Sequence, residues 1–150
     1  MEWTMTNSAN SGKPAVSPHL CVNPTEMAVA RGFSHAVVAQ PGTTIYLAGQ
    51  IAVDANSKVV GDNFAEQFAV ALQNVVQALR AAGGTPEHLV SLVMYATDVG
   101  AYRSALREVG AAYRQIIGDY YPAMALVGVT ELVEPKAMIE IIGTAVIPVK

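Results

Sequence analysis

Residues Asn63 to Thr97 read NFAEQFAVALQNVVQALRAAGGTPEHLVSLVMYAT, and a change of period inside this stretch decides the fold. Phe64, Phe68, Leu72, Val75 and Leu79 recur at spacings of four and three, which lines them along one stripe of a helix. Asn63 followed by Glu66 is an approximate capping box at its start, and Gly83-Gly84 stops it where a left-handed residue is wanted. Leu89 to Thr97 is then apolar, bounded by polar residues and too short for a comparable helix. It reads as a strand buried on at least one face.

Working towards the C-terminus, Tyr102, Leu106, Val109, Tyr113 and Ile116 or Ile117 repeat the helical spacing, and Gly118 ends the stripe. Ala123 to Val129 and Met138 to Val146 are two further strands, joined through Glu134-Pro135-Lys136. Towards the N-terminus, the apolar runs Ala36 to Ala39 and Thr44 to Gly49 flank Gln40-Pro41-Gly42, which predicts a hairpin. The order strand, strand, helix, strand, helix, strand, strand indicates an α+β domain, a sheet with both helices on one face. Residues 1–25 mix Ser, Asn, Pro and Thr with few large apolar side chains, so they read as a flexible tail, with order expected from near Phe33.

The chain has 150 residues, near the mode for one domain. It is 52% hydrophobic and only 14% charged, against about 25% charged in an average soluble domain. No apolar run approaches the roughly 18 residues of a membrane helix, so the surplus predicts an interface between copies covering the sheet's open face. Nine Lys and Arg against twelve Asp and Glu give a net charge of −3, which offers no cationic field for a phosphate backbone and argues against nucleic acid. One cysteine, Cys21, cannot pair internally, and His19, His35 and His88 have no zinc-type spacing. With no basic leader or signal-type apolar core either, a cytoplasmic protein without a zinc-type metal site is expected.

Several short stretches share one family pattern. Leu47-Ala48-Gly49-Gln50-Ile51, Gln67 with Asn74, Ala82-Gly83, Tyr95 with Thr97-Asp98, Tyr113, Pro122-Ala123, and Ile139-Glu140-Ile141 with Ala145-Val146 resemble the reactive-intermediate deaminase family, also called the YjgF, Rid or translation-inhibitor family. The resemblance covers residues 31–148. It implies a chorismate-mutase-like (YjgF-like) subunit with a mixed sheet, assembled as a homotrimer with small-molecule clefts between subunits. It also implies hydrolysis of enamine and imine products of amino-acid metabolism to 2-keto acids and ammonia, without metal or organic cofactor.

Carried over position by position, the resemblance assigns Glu140 as the carboxylate that activates water, and Phe33, Ala48, Gly49 and Met124 as substrate-binding positions. Three of these depart from the pattern. The family's Pro-Ala-Arg is Pro122-Ala123-Met124, so the arginine that pairs with a substrate carboxylate is absent; its tyrosine corresponds to Phe33, and its serine to Ala48. The asparagine expected before Tyr113 is Gly110. Each change removes a polar group, which points to a ligand less anionic and more apolar than a 2-imino acid. A charge-assisted pair contributes about 1.5 to 3 kcal/mol, so a 2-imino acid loses on the order of tenfold to a hundredfold.

The chemistry needs a proton at carbon and then water at the iminium carbon, which one carboxyl in a partly apolar cleft can shuttle. On pattern alone Glu140 could alternate outwards to solvent, and Met124 could be ordinary core filling. Arg31 and His35 lie close enough in sequence to Phe33 to be weighed as cleft residues, but a solvated charge and a surface imidazole are the plainer readings. Two functions follow: a cofactorless deaminase or tautomerase of an enamine, imine or related conjugated carbonyl compound, with Glu140 as proton shuttle, or a non-catalytic binder of an apolar metabolite in the same clefts.

Overall fold

A computed structural model of the chain describes residues 17–150. Its centre is a mixed four-stranded sheet of β3 (Gly42–Gln50), β6 (Ile139–Pro148), β4 (Leu89–Ala96) and β5 (Ala123–Gly128), in the order β3-β6-β4-β5. The β3–β6 and β6–β4 pairs are antiparallel, and β4–β5 is parallel. A parallel neighbour demands a crossover, and the helical segment between β4 and β5 supplies it. The long helix α1 (Phe64–Ala81) connects β3 to β4 in the same way.

The period of two in the strands and of 3.6 in the helices builds the core. Leu92, Met94 and Ala96 of β4 and Ile139, Ile141 and Ala145 of β6 are buried together with Phe64, Phe68, Leu72, Val75 and Leu79 of α1. The side chains between them on β4 and β6 therefore belong to the opposite face, which is helix-free among the described residues. Ends of α1 follow local chemistry: the Asn63 side chain accepts from Glu66 N–H (3.0 Å), and Gly83 takes φ +88° just past the last turn. The carboxylate of Glu66 accepts from Asp62 N–H (2.8 Å), one residue earlier than a reciprocal box requires.

Three expectations change. The hairpin around Gln40-Pro41-Gly42 does not form. The segment β2 (Ala36–Val38) pairs instead with β1 (Leu20–Val22), while β3 finds its partner in β6. The ten residues of β6 give β3 a long ladder; Ala36–Val38 has one inward residue, Val37, opposite Cys21. Consequently part of the expected tail is structured: within 17–25, His19 is buried, its Nε2 donates to Val146 O (2.9 Å) and its Nδ1 accepts from Gln40 N–H (3.2 Å). Residues 1–16 lie outside the described residues. Finally, the second helical stripe is two helices, α2 (Val99–Ser104) and α3 (Leu106–Ile116), broken at Ala105. The break turns Leu106 out of the stripe to 52% exposure, and Gly118 at φ +99° follows the last turn as expected.

Candidate functional site

Glu140 is the second residue of β6 and lies between the buried Ile139 and Ile141. Strand alternation therefore turns its side chain to the helix-free face, where it is half-buried. On one flank its cross-strand partner is Tyr95 of β4. On the other the β3–β6 register slips: Leu47 faces Gly143 while Gln50 faces Ile141, leaving Ala48 and Gly49 as a bulge. The Glu140 carboxyl lies over that bulge. A Cβ on Gly49 would stand 2.8 Å from the carboxyl carbon and closer still to Oε1, so glycine is needed here for the close approach rather than for an unusual φ.

Two amides on α1 hold this region. Gln67, itself buried, accepts from Met138 N–H at 2.8 Å and donates to Lys136 O at 3.1 Å and Gly61 O at 3.3 Å, fixing the chain just before Glu140. Asn74 donates to Ile51 O and Val53 O, both at 3.0 Å, fixing the chain just after the bulge. Their spacing of seven residues puts both on one helix face. The sequence pattern flagged both amides without indicating this clamping.

Phe33 and Met124 lie elsewhere. Ser34 donates from Oγ to Tyr121 O (2.6 Å) and from N–H to Pro122 O (3.0 Å), which sets Phe33 beside the start of β5. Phe33 meets His35 edge-on at 5.2 Å, and both border a shallow cavity of about 290 Å³ with Met124. Met124 pairs with the fully buried Leu92 and packs against the core. It therefore belongs to the helix-covered face, and Glu140 to the opposite one. Two strand spacings and three residue rises separate them, about 14 Å between Cα atoms. One chain thus groups Ala48, Gly49 and Glu140 in one place, and Phe33 and Met124 in another.

Other candidates have structural duties. His35 directs Nε2 to Ala28 O (2.8 Å) and its backbone N–H to Asn23 Oδ1 (2.9 Å), closing the loop that leads to Phe33. Arg31 is exposed. Tyr113 stacks on Tyr121 (5.0 Å, 9°) and donates to Tyr120 O (2.7 Å); burial raises its hydroxyl far above the ordinary range. Tyr120 donates to Leu89 O, and burial pushes it up to about 12. Both phenols stay protonated as hydrogen-bond donors. A second cavity, of about 390 Å³, lies beside Thr97 and the Thr130–Pro135 turn. Among the described residues no three His, Cys, Asp or Glu side chains converge as metal ligands, and no helix is long and apolar enough to cross a membrane.

The sheet order, the paired helices and the bulge facing a β6 carboxylate define a YjgF-like α+β fold. The sequence matches the family described as Endoribonuclease L-PSP over residues 24–147. The chain belongs to this Rid/YjgF family, as a divergent member. It is 32% identical over 105 residues to the 2-iminobutanoate/2-iminopropanoate deaminase of Homo sapiens, covering 69% of this chain and 72% of that protein. To the mitochondrial protein mmf2 of Schizosaccharomyces pombe it is 29% identical over 106 residues, 71% of this chain and 79% of mmf2. The crystal structure of YyfB, a Rid-family protein of unknown function from Yersinia pestis, superposes with a TM-score of 0.78 at 33% identity, covering 86% of this chain and 98% of that one.

Proposed function

We propose that the protein is a cofactor-independent deaminase or tautomerase of an enamine, imine or related conjugated carbonyl intermediate, with Glu140 as proton shuttle. The observation that carries this reading is the Glu140 carboxyl lying over Gly49 on a sheet face that no helix of the described residues covers. A protonated Glu140 gives its proton to the enamine carbon, leaving an iminium. The carboxylate then takes a proton from water as the water oxygen bonds to the iminium carbon. The resulting carbinolamine expels ammonia and leaves the carbonyl product. Family membership supports this chemistry, since a relative is named as an imine deaminase.

The helix-free face exposes Tyr46 (83%) and Ile142 (39%) on its β3–β6 side, and covering that side with further copies is the reading we favour, as a homotrimer. That assembly also answers the separation of Met124 from Glu140, because a neighbour can bring its Phe33–Met124 edge to this chain's Glu140. Met124, Phe33 and Ala48 offer a ligand neither a cation nor a side-chain hydroxyl, which supports an uncharged or apolar substrate. The same poverty of polar groups supports the second reading, a binder without turnover. Ribonuclease chemistry, which the family description suggests, is disfavoured by the net charge of −3. As to compartment, the lone thiol fits a reducing one, the cytoplasm or the interior of a mitochondrion.

The test uses imines made in situ, uncharged ones from amines by an amine oxidase and anionic ones from amino acids by an amino-acid oxidase. The protein is expected to speed hydrolysis of the uncharged imines more, with Glu140→Gln losing about 10²- to 10⁴-fold, while light scattering reports three times 15.8 kDa. Acceleration of neither class by an intact oligomer favours the binder. A monomer removes the shared cleft.

A further inference from the structure

The Glu140 row of the sheet continues beyond the carboxyl. Tyr95 is the direct antiparallel partner of Glu140, and Val127 is the parallel partner of Tyr95. Met94 and Ala96, on either side of Tyr95, are buried against the helices, so Tyr95 shares the helix-free face with Glu140. Directly opposed residues of this kind have Cβ atoms about 4.5 to 5.5 Å apart. Tyr95 therefore leaves the sheet beside Glu140 on the β4 flank, while the carboxyl lies over Gly49 on the β3 flank, and Val127, 43% exposed, follows beyond Tyr95. Among the described residues the Tyr95 hydroxyl has no hydrogen-bond partner, whereas those of Tyr113 and Tyr120 are both spent on backbone carbonyls. The row thus passes from carboxyl to phenol to aliphatic group over two strand spacings, about 10 Å.

We infer that Tyr95 is a specificity-determining residue, and that the row selects uncharged, planar, conjugated substrates: an aryl- or vinyl-substituted enamine or imine with its reacting carbon at Glu140, its π-system on Tyr95 and its apolar end at Val127. This rests on the reading of Glu140 as the reactive group. The gradient along the row is the reason. A ligand with its polar reacting centre at one end and a flat apolar body matches it, while a saturated body of equal size forgoes the aromatic contact. The free hydroxyl gives the ring an additional donor for a ligand heteroatom.

The probes are benzamide and cyclohexanecarboxamide, uncharged amides of similar size that differ in planarity. Each is titrated by NMR into the intact oligomer of the wild type, Tyr95→Phe, Tyr95→Leu and Glu140→Gln. Benzamide is expected to bind the wild type about two- to tenfold tighter than its saturated counterpart, with the amides of Gly49 and Ile141 shifted. Tyr95→Phe keeps that ratio, and Tyr95→Leu, which retains apolar volume, brings it to about one. A ratio unchanged in Tyr95→Leu, or a ratio of one in the wild type with shifts still at Gly49, overturns the role of Tyr95 alone. Shifts confined to other parts of the protein, or no binding of either amide, overturn it together with the Glu140 site. Glu140→Gln is expected to weaken both amides equally, leaving the ratio intact.

Discussion

Replacing Gly49 by alanine tests the site with the least disturbance to the fold. The new methyl would lie 2.8 Å from the carboxyl carbon of Glu140 and 3.0 Å from its Cγ. Carbon atoms rest at about 3.5 to 4.0 Å, so the carboxyl must retreat by about 1 Å. It can do so by rotating a flexible side chain. Gly49 has no positive φ, and alanine at a compatible position reduces the entropy of the unfolded chain. Stability is therefore expected to stay within about 1 kcal/mol, or roughly 2 to 4 °C in Tm for a chain of this size. Catalysis is more demanding, because a misplacement of about 1 Å can cost 10²-fold, or about 2.7 kcal/mol. The assay is turnover of an imine generated in situ, with Tm measured on the same preparation. Gly49→Ala should lose on the order of a hundredfold, and should add little to Glu140→Gln, since both remove one function. Turnover within about threefold of wild type at unchanged Tm would refute the placement of chemistry at this carboxyl.

Met124→Arg should raise activity on 2-imino acids by on the order of tenfold to a hundredfold, measured against uncharged imines as reference; an unchanged ratio would mean that the β5 edge does not meet the ligand. Deleting residues 1–23 should lower Tm by on the order of 10 °C, because it strips β1 from β2 and leaves Val146 O and Gln40 N–H without His19. Calorimetry beside a 1–16 deletion, expected to be nearly silent, checks this. Tyr120 has its hydroxyl raised from 10 to about 12 in the fold, so the folded state holds this proton more tightly than the unfolded one. Its stabilisation is complete below about pH 10 and drains away as pH rises towards 12; Tm read across that range should fall less steeply in Tyr120→Phe.

The helix from Phe64 was legible because its stripe and its cap are local, and the strands from Leu89 and Met138 because short apolar runs bounded by polar residues are too short for a comparable helix. The Glu140–Gly49 contact could be anticipated only through family resemblance, since nothing local says that a β6 carboxylate lies over a β3 bulge. Pairing partners were the least legible feature. Gln40-Pro41-Gly42 has turn chemistry, yet β3 pairs with β6 almost a hundred residues away, because the longer ladder and a common core outweigh a local turn. The Ser- and Pro-rich start concealed β1 for a related reason: three residues have no readable period, and His19 is anchored by tertiary bonds to Val146 and Gln40. Leu106 obeyed the helical spacing and is exposed all the same, since a stripe is continuous only if the helix is.

The placement of Met124 gives the missing arginine a more specific meaning. An arginine at that position starts on the helix-covered face at the sheet's edge strand, about 14 Å from Glu140 of the same chain and on the other side of the sheet. Neither rotamer choice nor a small backbone shift brings the two together through a packed sheet. On the proposed reading a substrate held between them spans two chains, and methionine at this position changes what one subunit presents to another's carboxyl. Gln67 and Asn74 fix the Glu140 side of that junction from within the chain, with bonds that no substrate need touch. Divergence can then proceed on the Phe33–Met124 edge, altering the charge and polarity of the accepted ligand, while the clamped carboxyl on the opposite face keeps its geometry.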